Sequence, residues 1–222
     1  MIEQNTVNRP IEINRIINES IKIFKKNFVL LSVLGLLSNS FYIFNDLFIQ
    51  KDETTLVGGA VFLISFIIFS YFMMSLTYTS SKLLHGENVN LQESFVNVRG
   101  SFVYFFISLI LYLLLAIGGL ILLIIPGIYL GTVFTFSYIP IVLEKKGIIE
   151  GFKISKNLVK GNFWIIFFIL VSIITLSVVF YWLARFTGHF SNILYDLFCV
   201  FVVPFITIFE VAIYSRLKEI KS

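Results

Sequence analysis

Between Arg99 and Glu144 the chain carries no Asp, Glu, Lys or Arg. A helix rising 1.5 Å per residue needs about 20 apolar residues to cross a bilayer core. Residues 102–143 are therefore long enough to cross twice. Pro126-Gly127 interrupts the run, and a turn is expected there because proline removes a donor and glycine permits a sharp bend. Immediately after the run the sequence turns basic, and it becomes apolar again at Phe163-Trp164. A soluble domain has little use for such a stretch. Hydrophobic residues make up 58% of the 222 and charged residues only 14%, against roughly 25% charged in an ordinary globular domain.

The same reading extends along the chain. Six spans are expected at 28–48, 57–81, 102–124, 127–144, 163–184 and 192–215, forming three hairpins in a single all-α integral membrane domain over 1–222. Each hairpin follows an amphipathic elbow: 10–27, 90–101 and 147–161. In the first elbow Ile13, Ile16, Ile17, Ile21 and Phe24 share one face, with Glu12, Arg15, Glu19, Lys22 and Lys26 on another. In the second, Asn90 and Glu93 have the spacing of a capping box. Glu19-Ser20, Glu93-Ser94 and Glu150-Gly151 recur at matching places in the three elbows, which suggests a threefold internal repeat. Amphipathic linkers alone would also produce this pattern.

Fifteen of the 17 Lys and Arg fall in the N-terminus, segments 82–101 and 144–161, and the C-terminus. Only Lys51 and Arg185 fall on the other side. By the positive-inside bias both termini are expected in the cytoplasm of a multi-pass cell-membrane protein. The formal charge of +4 then reflects topology and gives no reason to expect a nucleic-acid partner. The polar, charged residues 1–27 do not have the form of a cleavable signal peptide. Cys199 stands alone in an apolar run, so no internal disulfide is expected.

Small and polar residues mark helix contacts in lipid. They line up as Gly35, Ser38, Tyr42 and Asn45 in the first span and as Ser70, Met74, Thr77 and Ser81 in the second. In the fourth they are Gly127, Gly131, Thr135 and Tyr138, beginning with a GxxxG. Among ionisable residues in or beside spans, Asp196 and Glu210 are the intramembrane candidates, each near a span end. Glu144 closes the fourth span. In the third elbow Lys153, Lys156 and Lys160 recur at helical spacing opposite Ile148, Phe152 and Val159, the pattern of an interfacial helix meeting anionic headgroups. Those three lysines are the candidate lipid-interface residues.

His85 and His189 fall on opposite sides by this topology and cannot share a metal. No HExxH, Walker loop, GxSxG or dinucleotide fingerprint occurs. No catalytic, cofactor-binding or metal residue is nominated, and the chain is not expected to be an enzyme.

The run Ile125-Pro126-Gly127-Ile128-Tyr129, followed by Pro140, Glu144, Gly147, Ser155, Leu158, Gly161 and Trp164, resembles a bacterial family. It is the six-span membrane domain related to the membrane part of glycerophosphoryl diester phosphodiesterases, including its stand-alone members. The resemblance implies a helical plasma-membrane bundle with Pro126, Gly127, Gly131, Glu144, Gly161 and Trp164 as structural positions. Two departures stand out: many members have a basic residue in the fourth span, and Gly151 replaces the usual alanine. No soluble stretch here is long enough for a phosphodiesterase barrel, so that activity is not carried over. The expected role is an accessory, scaffold or envelope-protection protein, such as one conferring immunity to a membrane-active peptide. It would act through anionic lipids or a membrane partner, including a transporter subunit. A permease or export component for a small or amphiphilic solute is the alternative.

Overall fold

The computed structural model of the chain describes residues 11–48, 56–188 and 191–221, and side chains outside 40–57. The expectations placed on Tyr42, Asn45, Lys51 and His189 lie outside the described residues or side chains. All regular structure described is helical: α1 Ile13–Lys26, α2 Phe28–Phe48, α3 Leu56–Leu84, α4 Leu91–Val96, α5 Phe102–Leu122, α6 Ile124–Val133, α7 Tyr138–Leu143, α8 Ile148–Val159, α9 Phe163–Arg185 and α10 Ser191–Lys221. A 3-10 turn, Arg99–Ser101, joins α4 to α5.

Five stretches are long and apolar enough to cross a membrane: 58–84, 91–122, 124–143, 163–185 and 191–221. The first expected span corresponds to α2, of which Phe28–Asn39 forms a shorter apolar helix among residues with described side chains. In the second and third hairpins the second helix lies deeper in the bundle than the first, whereas in the first hairpin α2 itself buries Leu31, Leu34 and Ser38. The span formed by α6 and α7 and the span of α10 are half buried, whereas only 6% of the α9 span is buried. α9 is apolar on every face, as a lipid-facing helix is.

The elbows gather at one end of the bundle. Ile16 of α1, Leu158 and Val159 of α8, and Leu217 of α10 share one buried cluster, with Leu84 and Leu143 packed against it. Asn90 caps α4, its Oδ1 accepting from the Glu93 amide at 2.8 Å. Ser20, Ser94 and Gly151, equivalent in the expected repeat, are each buried on their elbow's inner face.

Two features differ from the expected spans. The turn expected at Pro126-Gly127 falls at Leu123, which is extended between α5 and α6. Pro126 sits in the first turn of α6, where a missing N–H breaks no helical bond. Gly127 has a different use. A Cβ there would lie 2.4 Å from the Leu120 backbone, and one on Gly119 would lie 2.7 Å from the Gly127 Cα. The hairpin closes on a glycine pair drawn from both helices. Gly131, the other half of the GxxxG, has room: its Cβ would sit 4.0 Å from Ala116 and Tyr112.

The second difference lies in span 127–144, which is not one helix. It breaks at residues 134–137 and resumes as the six-residue α7. Pro140 accounts for the position. Its ring collides with the carbonyl of residue i−4, Phe136, and supplies no N–H to it. The Phe136 carbonyl instead accepts the tighter bond from Ile139 N at 3.2 Å.

Candidate functional site

The break in this span leaves the carbonyls at the C-terminus of α6 without helical partners. Each finds a donor within the protein. Leu130 still keeps its ordinary helical partner, Phe134 N at 3.0 Å, whereas Thr132 takes the tighter bond from Thr135 N at 3.5 Å. Gly131 accepts from the Tyr112 hydroxyl of α5 at 3.2 Å. Val133 accepts from the Ser155 hydroxyl of α8 at 2.7 Å, and the same oxygen receives the Phe136 amide at 3.2 Å. Ser155, fully buried, thus replaces two backbone bonds the break removed.

A serine on the third elbow reaches this depth because the elbow's inner face is small. A Cβ on Gly151 would lie 2.6 Å from the Ser137 carbonyl and 3.1 Å from Ile141. α8 packs directly on the break and on α7. Its far end is fixed too: Lys221, at the end of α10, donates to the carbonyls of Asn157 and Lys160, the latter at 2.6 Å. An ammonium there satisfies orphan carbonyls and favours the negative end of the helix dipole. Gly161, with φ +88°, then turns the chain into α9.

α7 is tied to α10 by two reciprocal tyrosine–glutamate pairs. Tyr138 donates to Glu210 at 2.6 Å, and Tyr214 donates to Glu144. The order Tyr138–Glu144 against Glu210–Tyr214 means that α7 and α10 run in the same direction. Lys218 adds an ion pair to Glu144 at 2.8 Å. Burial at the end of α7 pushes the Glu144 pKa up. Hydrogen bonds from Lys218 and Tyr214, with the charges of Lys218 and Lys146, outweigh it and leave the carboxyl below its ordinary value. Lys146 is itself held by Glu150 at 2.8 Å, and that bond raises its pKa. A cavity of about 390 Å³ opens beside Glu144, walled by His85, Tyr214 and Lys218.

Lys153, Lys156 and Lys160 are exposed, while Gly151, Ser155, Leu158 and Val159 are buried. Phe152, expected on the apolar face, is half-buried and packs on Phe134 at 5.0 Å between ring centroids. Trp164 is 67% exposed at the start of α9. Asp196 is half-buried in the second turn of α10, far along that helix from Glu210, so the two intramembrane candidates do not meet. Among the described residues, no three His, Cys, Asp or Glu are placed to hold a metal.

Sequence reasoning missed Ser155, Tyr112 and Lys221 as partners of the joint. Two signals were readable: Pro140 inside an expected span, and a hydroxyl at the buried register of an amphipathic elbow.

By helix length and hydropathy, this all-helical chain is an integral, multi-pass membrane protein. No family model, no curated protein and no solved structure matches it.

Proposed function

We propose that the chain is a six-span protein of the cell membrane with both termini cytoplasmic. In this reading it acts without catalysis, as an accessory, scaffold or envelope-protection component engaging anionic lipids or a membrane partner through the third elbow. One observation carries the reading: the break between α6 and α7 is filled by the elbow itself. Carbonyls released by a broken helix would suit a transported ion only if they were free. Here they are spent on Ser155, Tyr112 and local amides, which makes the break a mechanical joint. Lys153, Lys156 and Lys160 face away from it. Each contributes about 1 kcal/mol near an anionic surface, less under salt. A total of roughly 3 kcal/mol shifts a two-state equilibrium more than a hundredfold, enough to set the elbow's angle.

Changing Lys153, Lys156 and Lys160 together to glutamine should leave insertion and abundance intact and abolish the gene's cellular phenotype. In nanodiscs, amide exchange over 148–160 should rise when anionic lipid is removed. Exchange indifferent to lipid charge, with full complementation by the triple variant, sinks the proposal. The orientation has its own check. Cysteines placed at Thr54 and Lys156, in a background lacking Cys199, should label from outside at Thr54 alone.

The permease reading draws on one observation, Glu210. It sits in the bundle beside the break, held by Tyr138, and carboxylates within membrane spans commonly mark solute paths. Loss of solute flux in proteoliposomes on Glu210→Gln, at unchanged stability, would move the assignment to it.

A further inference from the structure

A second polar cavity at the elbow end, of about 450 Å³, lies between α1 and the segment that follows α3. We propose that it is a binding site for a phosphate-bearing anion, either the headgroup of an anionic lipid or a soluble phosphate ester.

The cavity's charge argues for an anion. Arg15, Lys22 and Lys26 line it from one face of α1, two turns and one turn apart. Two acidic residues share the wall, and each already faces a cation. Glu87 is held by Lys82 at 2.6 Å. Glu19 lies within electrostatic reach of Arg216, which is itself paired with Glu219 at 2.7 Å. Arg15 is ion-paired with Glu12, the residue that precedes α1, at a loose 3.7 Å with both side chains well exposed. The lining therefore keeps an excess of positive charge with donors to spare. Arginine and lysine ammonium or guanidinium groups give phosphate oxygens their strongest hydrogen bonds.

Its floor argues for an amphiphile among the two sources. Ile23, Leu83 and Leu84 are apolar, and Leu83 is buried. The helix bearing the cations continues through Asn27 into α2, whose first turn exposes Phe28 and Val29. Headgroup and chain contacts thus succeed each other along one stretch of sequence. The wall is held in place from behind. Ile16 and Ser20 of α1 are buried, Ile16 within the cluster formed with α10.

This site stands on α1 and does not depend on the lysines of α8, so the two proposals can fail separately. The test uses the full chain in a mild detergent. Native mass spectrometry would follow retention of dioleoylphosphatidylglycerol against uncharged dioleoylglycerol. Amide exchange over 15–26 would be followed with and without glycerol 3-phosphate. The wild type should retain the phosphatidylglycerol selectively, and Lys22→Gln/Lys26→Gln should weaken retention about tenfold or more. Arg15→Gln alone should produce a smaller loss. Substituting Lys153, Lys156 and Lys160 by glutamine should leave it unchanged. Protection of residues 15–26 by glycerol 3-phosphate, lost in the double variant, also supports the site and names a soluble source. The proposal is overturned if neither ligand depends on Lys22 and Lys26. It is also overturned if the α8 variant lowers retention as much as the α1 variant.

Discussion

Pro140 and Pro204 each stand inside a long apolar run, and the chain resolves them in opposite ways. At Pro204 α10 continues unbroken from Ser191 to Lys221. The carbonyl that Pro204 leaves without a donor belongs to Val200. There α2 supplies a glycine: a Cβ on Gly35 would fall 2.1 Å from the Val200 oxygen and 2.7 Å from the Pro204 ring. Backbone approaches backbone, and the freed carbonyl is covered at close range by α2. At Pro140 the helix gives way, and the gap receives a side chain from a separate element, Ser155 of α8. The difference teaches that a membrane proline does not decide its own outcome. What the neighbouring element places against the interrupted backbone does: the Gly35 backbone against the Val200 carbonyl at one proline, Ser155 against the Phe136 amide and the Val133 carbonyl at the other.

The largest expected effect breaks the Pro204 arrangement. Gly35→Leu must push α2 off α10, because the clash is with backbone rather than a flexible side chain. A loss of about 3 kcal/mol is expected, read as a drop in thermal stability in detergent. Gly131→Ala is the control, since ordinary contact distance awaits it. It should be neutral or stabilising by up to about 1 kcal/mol through helix propensity. Equal losses at Gly35 and Gly131 would mean that the close approach at Val200 is not what holds α2.

Next in size is the filled break. Ser155→Ala removes the donor to Val133 and the acceptor for Phe136 at once. Each buried backbone group left unpaired costs about 1–3 kcal/mol, and relaxation recovers part of it, so about 2 kcal/mol is expected. Ser75→Ala makes a clean comparison. Ser75 is equally buried, but its hydroxyl only returns to its own helix, at Tyr71 O, 3.0 Å away. Its loss should be within about 0.5 kcal/mol. A Ser155 variant as mild as the Ser75 variant would demote the joint to ordinary packing.

The break frees α7 to be held from its two ends, and one end titrates. The Glu144 carboxyl has its folded pKa below the unfolded value. Its contribution is therefore fully present above the unfolded carboxylate value, about 4.3, and is lost as pH falls through the lower folded value. Acid unfolding of the wild type should steepen in that window. Glu144→Gln should flatten it, and Lys218→Gln should shift it toward higher pH by removing the cation that holds the carboxylate. An acid limb identical in Glu144→Gln would show that Tyr214 and Lys218 tether α7 without help from the charge.

How much of this could be read beforehand follows from where the physics is local. Spans, elbows and the Asn90 cap depend on composition and on residues three or four apart, and all of these leave a pattern in the sequence. The glycine pair Gly119 and Gly127 and the Ser155 contact join positions from different elements, and no periodicity reports them. Pro126 and Pro140 illustrate the boundary between the two. Both are visible prolines, yet their different positions relative to the helix start give them opposite effects. Pro126 falls in a first turn and Pro140 stands where Phe136 needs its N–H. Placing the turn at Leu123 rather than Pro126 requires knowing where the helix starts, and that is set by the close contact of α5 with α6.

The smallest effect gives the sharpest test of the comparison. Pro140→Ala and Pro204→Ala each restore one amide and remove one ring, so their intrinsic consequences are alike. Their surroundings are not. At position 204 the helix is already continuous, and the restored N–H competes only with the approach of Gly35. Stability should change by less than about 1 kcal/mol, and amide exchange over 196–208 should hardly move. At position 140 the restored N–H can reach the Phe136 carbonyl and draw α6 and α7 toward one helix. A continuous helix has no place for Ser155, because the Phe136 amide then turns to its own i−4 carbonyl. The gain of helical bonds and the loss of the Ser155 bonds nearly cancel, and the net stability change is again under about 1 kcal/mol. The populations differ where the free energies do not. Exchange should slow over 134–140 and quicken over 148–160, as α8 is released while α7 is straightened. If Pro140→Ala leaves α8 as protected as the wild type does, the break is imposed by Ser155 and Tyr112 rather than by the proline. The two prolines would then differ in cause as well as in outcome.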